Sequence, residues 1–208
     1  SLLFKYLGGV DAVPICLDTK DPDEFIKTVK YLQPSFGGIN LEDIEQPKCF
    51  YILERLRNEM EIPVWHDDQQ GTAAVTLAGL INAAKIVGKR MQDMKIVIVG
   101  AGAAGICTAR LLMAGGVPGG NIILCDSKGT LHKGRADIER NRDKFKEKWE
   151  MCEKTNAEGV VGDVAMAMRG ADAVIALSTP GPDTIKKEWV KGMAKDAIVF
   201  ACANPIPE

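Results

Sequence analysis

Residues 95–112 read KIVIVGAGAAGICTARLL: a lysine and a short apolar run, then Gly100-x-Gly102-x-x-Gly105, then an apolar stretch with helical spacing. Few local patterns constrain a fold as much. The first glycine permits a tight turn at the strand end and the second lets the backbone approach a pyrophosphate. The third lets helix and strand pack closely. Ala101, Ala103 and Ala104 stand between the glycines. The unpaired N–H groups and dipole at the start of the helix then favour an anion. A second apolar run, NIILCD, ends in Asp126, 21 residues after Gly105, where a carboxylate can accept hydrogen bonds from an adenosine ribose. Strand, glycines, helix, strand and terminal acid thus stand in the order that dinucleotide binding requires. The acid favours NAD, because a carboxylate repels a 2′-phosphate. Lys128 and Arg135, just downstream, leave NADP open.

The rest of the chain repeats the alternation. Strand-like runs lie at 12–17, 36–41, 63–66, 95–100, 121–126, 173–178 and 197–203. Helix-like stretches at 21–32, 47–60, 71–87 and 103–115 lie among them, and SLLFKYLGG at the start reads as the middle of a helix. Strands that are unbroken apolar runs alternating with helices predict an α/β fold with parallel sheets covered on both faces. Polarity rises in VGKRMQDM, 87–94, which predicts a boundary: a parallel-sheet N-terminal part with a connecting helix over 1–88, and a Rossmann-type doubly wound dinucleotide-binding domain over 89–208.

Composition excludes several classes. With 46% hydrophobic and 26% charged residues and a formal charge of −2, nothing draws the chain to nucleic acid or an anionic membrane. The most basic stretch, 133–150, mixes both signs and reads as a solvated helix face. No apolar run approaches the roughly 18 residues of a membrane helix. Six cysteines form no CxxC pair, and Cys16, Cys107, Cys125 and Cys202 sit in apolar runs as small hydrophobes, which predicts a reducing, cytoplasmic compartment. The absent initiator Met and the abrupt ends read as a piece of something longer.

Two acidic pairs raise a separate question. Asp67-Asp68, in HDDQQGTAAV, follows one apolar run, and Glu42-Asp43, in GGINLEDIEQP, follows another. In open α/β sheets ligands bind beyond the carboxyl ends of the strands. If the two strands are neighbours, three or four carboxylates converge and suit a hard divalent cation, Mg²⁺ or Mn²⁺, better than zinc. The alternative is a set of solvated loops.

The series GGINLEDI, IPVWHDDQQGTAAV, IVIVGAGAAG and FACANPIPE, in this order, resembles the malic enzymes, in particular the shorter bacterial and archaeal type. The resemblance runs over essentially the whole chain. It implies oxidative decarboxylation of L-malate to pyruvate and CO₂ with reduction of NAD(P)⁺, dependent on Mg²⁺ or Mn²⁺, in a homodimer. It implies Glu42, Asp43 and Asp68 as metal ligands, with Asp67 as a supporting acid close to the proton transfers. Thr72, after Gly71, falls beside the cofactor, and Ser178 lines its nicotinamide side together with Thr179. Asn204 matches the asparagine that contacts both substrate and nicotinamide.

The sequence also departs from the family. The catalytic lysine of the pattern falls immediately before Ser1, and the catalytic tyrosine further upstream. Lys5, Tyr6, Tyr31 and Tyr51 do not match them. The expectation is a 208-residue chain that keeps metal and cofactor halves but is inactive or nearly so alone. Two alternatives stand beside it: a malolactic-type enzyme that retains its nicotinamide, and a non-catalytic dinucleotide- or metal-binding module. His66 and His132 read as structural and loop residues, and Trp65, Trp149 and Trp189 as packing. Cys107 reads as packing in the phosphate-loop helix.

Overall fold

Alternating strand and helix runs fold here into two separate sheets. The computed structural model describes residues 1–208. In chain order the elements are α1 (Leu2–Gly8), α2 (Pro22–Leu32), β1 (Ile39–Leu41), α3 (Lys48–Glu59), β2 (Val64–His66) and α4 (Thr72–Ile86). They continue with β3 (Ile96–Val99), α5 (Ala103–Ala114), β4 (Ile122–Asp126), β5 (Gly129–Thr130), α6 (Ala136–Glu139) and α7 (Lys146–Lys154). Then follow α8 (Val164–Met168), β6 (Ala173–Ala176), α9 (Lys187–Lys191) and β7 (Ile198–Ala201).

The larger sheet has the order β5-β4-β3-β6-β7 and is parallel except for the short antiparallel β4–β5 ladder. From β3 the chain winds first to β4 and later to β6 on the other side. The strand order therefore reverses beside β3, and a crevice opens there beyond the carboxyl ends of the strands. The period-2 alternation of the strands divides their side chains between two cores. Ile96, Ile98, Ile122, Leu124 and Ile175 face Leu80 and Ala84 of α4 and Ile106, Ala109 and Leu112 of α5. Val97, Val99, Ile123, Cys125 and Val174 face Ala167 and Met168 of α8, with Trp189 of α9 packed alongside.

The smaller sheet is the parallel pair β1–β2, in register Ile39 to Val64 and Leu41 to His66. Its core is Ile26 and Val29 of α2 and Ile52, Leu53 and Leu56 of α3, packed on Leu41 and Val64. Helix α2 starts where it does because Asp21 caps it, accepting from the N–H groups of Asp23 and Glu24 at 2.8 and 2.9 Å, with Pro22 at the first helical position.

Several expectations are corrected. Residues 12–17 form no strand: Val13 and Ile15 are 64% and 46% exposed, and the run pairs with neither sheet. The 133–150 stretch is not one solvated helix; it breaks into α6, turns and α7, whose Met151 and Cys152 are fully buried. Cys16 and Cys202 are exposed rather than packed, whereas Cys125 is buried, which pushes its thiol pKa up to about 12. Trp65 stands 42% exposed, so only Trp149 and Trp189 pack as expected. No helix is long and apolar enough to cross a membrane.

Candidate functional site

The phosphate loop lies between β3 and α5. Gly102 is the N-cap of α5 in extended conformation, and no side chain bonds the first N–H groups of the helix, which face the crevice end. Ala101 is buried, and Ala103 and Ala104 form the partly exposed first turn. A Cβ on Gly105 would come within 1.8 Å of the carbonyl oxygen of Gly100, so any larger residue there would push the helix off the strand.

At the end of β4, Asp126 is more heavily engaged than a ribose acceptor need be. Its Oδ1 accepts from the backbone N–H of Lys128 at 2.9 Å and from Arg135 at 3.0 Å, and its Oδ2 from the other Arg135 nitrogen at 3.0 Å. Lys148 approaches the same oxygen at 3.5 Å. Arg135 also grips Asp137 at 2.8 and 2.9 Å. Burial raises the pKa of Asp126, but the Arg135 guanidinium and the Lys128 N–H outweigh it and hold the carboxyl below its usual range. The guanidinium neutralises the charge that sequence reasoning set against a 2′-phosphate. The order of charged residues after NIILCD held the cations but gave no sign that one of them is spent on Asp126.

The two acidic pairs lie at the same end of the small sheet. Because Leu41 is paired with His66, the residues that follow each strand leave side by side. The backbone N–H of Asp43 donates to Asp68 Oδ2 at 2.9 Å, across 25 positions of sequence. Asp43 itself has a left-handed backbone, φ 57, which lets Glu42 and Asp43 turn out of the strand. Glu42, Asp43 and Asp67 are exposed, and the Asp68 side chain is 42% exposed. No group of three or more His, Cys, Asp or Glu side chains is gathered closely enough to hold a metal ion. The backbone therefore brings the hard oxygen donors to one place without closing their side chains around a point. In donor type and chain placement they fit a divalent cation.

Between β2 and α4 the chain makes a single wide turn, Asp67–Gly71, with π-type spacing. Asp67 leans over it: a Cβ on Gly71 would meet its Oδ1 at 2.3 Å. The turn packs against α5, and Gln69 donates to the carbonyl of Cys49 in α3 at 3.3 Å. Thr72 is the first residue of α4, half-buried at this junction. Gln46, just after the first acidic pair, comes from the other side to about 3.7 Å from where a Cβ of Gly102 would stand. The carboxylate ends and the phosphate loop thus share one crevice.

His66 is fully buried, with neither ring nitrogen hydrogen-bonded, and its Nδ1 is 3.8 Å from Asp68 Oδ2. Burial lowers its pKa against the pull of Asp68 and Asp67, which keeps the ring neutral. Across the crevice, Ser178 lies just beyond β6, half-buried, and Asn204 just beyond β7, exposed. A residue missed in the sequence joins them: Glu208 accepts from the backbone N–H of Ser178 at 2.8 Å and from that of Ala203 at 3.0 Å. The only sequence signal was the acid closing ANPIPE. Lys5 pairs with exposed Asp11 at 2.9 Å, and the Tyr51 hydroxyl donates to Asp23 at 2.8 Å, so neither joins the carboxylates.

The comparisons with known proteins agree among themselves. The family model described as "Malic enzyme, NAD binding domain" matches residues 69–208, and "Malic enzyme, N-terminal domain" matches residues 1–57. The chain is 51% identical to a NAD-dependent malic enzyme of Geobacillus stearothermophilus, covering all of this chain and 41% of that protein. It is 49% identical to a bifunctional malic/malolactic enzyme of Bacillus subtilis, covering 48% of it. The crystal structure of Entamoeba histolytica malic enzyme superposes with a TM-score of 0.95 at 52% identity, over all of this chain and 43% of that one. The chain thus spans about half the length or less of the relatives it matches.

Proposed function

The chain belongs to the malic enzyme family, and from that premise we propose that it supplies the metal- and dinucleotide-binding parts of an enzyme that oxidatively decarboxylates L-malate to pyruvate and CO₂. The observation that carries the reading is the hydrogen bond from Asp43 N–H to Asp68, which joins two acidic strand ends beside the phosphate loop. Residues 1–88 hold the acidic strand ends and the connecting helix α4, and residues 89–208 form the dinucleotide-binding part.

In this reading Glu42, Asp43 and Asp68 hold Mg²⁺ or Mn²⁺, which supplies a Lewis acid for the hydroxy-acid end of malate. The dinucleotide supplies the hydride acceptor. The chain does the rest by position. The N-terminus of α5, with Gly100, Gly102 and Gly105, holds the pyrophosphate, and Asp126 with its cationic neighbours holds the adenosine ribose. Thr72 and Ser178 line the dinucleotide on either side. Asn204 orients the nicotinamide and the substrate together. Asp67, held over Gly71, steadies the ligand carboxylates and stands close to the proton transfers. Buried, neutral His66 walls off water behind Asp68. The Arg135–Asp126 pair makes NADP⁺ acceptable beside NAD⁺.

Proton removal from the malate hydroxyl needs a base, and Lys5 and Tyr51 are committed elsewhere. The 208-residue chain alone is accordingly inactive or nearly so in this reading. The family resemblance further implies a cytoplasmic homodimer. The test is a malate assay with Mn²⁺ and either NAD⁺ or NADP⁺, on protein whose intact mass is verified. No turnover at the 208-residue mass, together with NAD⁺ binding, is the expected result; turnover at that mass contradicts the assignment of the base. The malolactic name of the B. subtilis relative favours one second reading, in which reduced nicotinamide stays bound and lactate leaves. Release of free NADH by an active longer form excludes it. Failure of the chain to bind any dinucleotide contradicts the main reading and a non-catalytic dinucleotide-binding module alike.

A further inference from the structure

At the C-terminal ends of β6 and β7, one carboxylate spans both strands. Glu208 Oε1 accepts from the Ser178 N–H at 2.8 Å and from the Ser178 hydroxyl at 3.3 Å, while Oε2 accepts from the Ala203 N–H at 3.0 Å. Burial raises the pKa of this carboxyl, but the backbone N–H groups of Ser178, Ala203 and Glu208 itself, with the Ser178 hydroxyl, outweigh burial and hold it below the usual range. Hydrogen bonds to an ionised acceptor are about twice as strong as neutral ones.

The bonds enclose one short segment. Ala203 immediately precedes Asn204, and Glu208 is four residues beyond it. The Gly181 N–H donates to the carbonyl of Ile206 at 3.1 Å, a second tie from the loop after β6 to the same segment. Asn204 therefore sits on a loop pinned on both sides to the end of β6, while its own side chain stays exposed at the crevice. An exposed amide whose backbone is already held loses less freedom on binding a ligand and so gains more affinity from the contact.

We propose that Glu208 is a positioning residue: by bridging Ser178 and Ala203 it fixes Asn204 against the nicotinamide half of the bound dinucleotide. The proposal rests on the dinucleotide reading above and adds a residue to it. Glu208 hydrogen-bonds neither the Gly100–Gly105 loop nor Asp126, although the Ser178 N–H it holds lies close to Gly100, so its larger effect is expected at the nicotinamide end.

The experiment is calorimetric titration of the full chain with NAD⁺ and, separately, with ADP-ribose, which lacks the nicotinamide. The variants are Glu208→Gln, Glu208→Asp, Asn204→Ala and the double Asn204→Ala/Glu208→Gln. Glu208→Gln is expected to weaken NAD⁺ roughly tenfold, the worth of one charged hydrogen bond, and to leave ADP-ribose unchanged. Asn204→Ala gives the same pattern, and the double variant is no worse than either single one, because both remove one interaction. Glu208→Asp keeps the charge on a shorter arm and falls between; it serves as the measured variant if Glu208→Gln does not fold. A parallel loss for NAD⁺ and ADP-ribose, no loss for NAD⁺, or additive losses in the double variant would overturn the proposal. If the unaltered chain binds ADP-ribose as tightly as NAD⁺, the proposal fails while the dinucleotide reading stands. If it binds neither, both fail.

Discussion

The N–H of Asp43 and the carboxylate of Asp68, 25 positions apart in sequence, are 2.9 Å apart in space, and through them one acidic strand end is tied to the other. The parallel register of β1 and β2 creates the approach, and the left-handed backbone of Asp43 aims the N–H.

That tie separates two roles of Asp68 by chemistry. Asp68→Asn keeps an oxygen that accepts from Asp43 but removes the charge. It is expected to weaken Mn²⁺ binding at least roughly tenfold with little change in unfolding midpoint. Asp68→Ala removes both and costs about 1 kcal/mol of stability in addition. Electron paramagnetic resonance of free Mn²⁺, paired with thermal melts, reads the two effects separately. Equal Mn²⁺ affinity in Asp68→Asn and the unaltered chain removes Asp68 from the ligand set.

Arg135 and Asp126 have side chains only 10% and 11% exposed, so breaking the pair strands a charge. Arg135→Ala is expected to lower stability by about 3 kcal/mol in urea unfolding. The pH dependence follows from the folded pKa of Asp126, which lies below the unfolded value near 3.8. The contribution of Asp126 is complete above the unfolded value and is lost as pH falls through the folded one. The stability difference between the unaltered chain and Asp126→Asn should therefore shrink toward zero as pH falls below the unfolded value and through the folded one. A difference that grows on acidification contradicts the pairing.

The charges after β4 also bear on cofactor choice. Lys128, two residues after Asp126, has a side chain 69% exposed, and its ammonium group pairs with Asp137 at 3.2 Å beside the Asp126–Arg135 cluster. Lys128→Glu is expected to weaken NADP⁺ roughly tenfold or more while changing NAD⁺ by less than about threefold. Equilibrium titration with both dinucleotides measures it, and equal losses for the two refute a role at the 2′ position.

Gly105→Ala places a methyl 1.8 Å from the Gly100 carbonyl oxygen. The strain displaces α5 from β3, with an expected cost of about 1–3 kcal/mol and loss of dinucleotide binding, read by denaturant unfolding and calorimetry. An unperturbed variant would mean that helix and strand do not approach as described.

How much of this was readable in the residues varies with the range of the forces involved. The phosphate loop was legible because its demands are local: a turn, a close approach and a helix start all fall within Gly100–Gly105. The meeting of the two acidic pairs was legible only as a condition, since which strands pair is a long-range property. Residues 12–17 looked like a strand because AVPICL is apolar, but strand pairing is decided by tertiary context, and here the run pairs with neither sheet and leaves Val13 and Ile15 exposed. Arg135 was visible as a cation and invisible as a partner of Asp126. Glu208 was visible only as the acid closing ANPIPE, because its worth lies in two backbone N–H groups that any sequence would possess.

The most direct test of the account is whether cation and dinucleotide share one crevice. Proton relaxation of NAD⁺ bound to the chain, measured with and without Mn²⁺, reads their proximity. The account predicts strong paramagnetic broadening of the nicotinamide protons, weaker broadening of the adenine protons, and loss of both in Asp68→Asn. Bound NAD⁺ whose nicotinamide protons are untouched by saturating Mn²⁺ would contradict it.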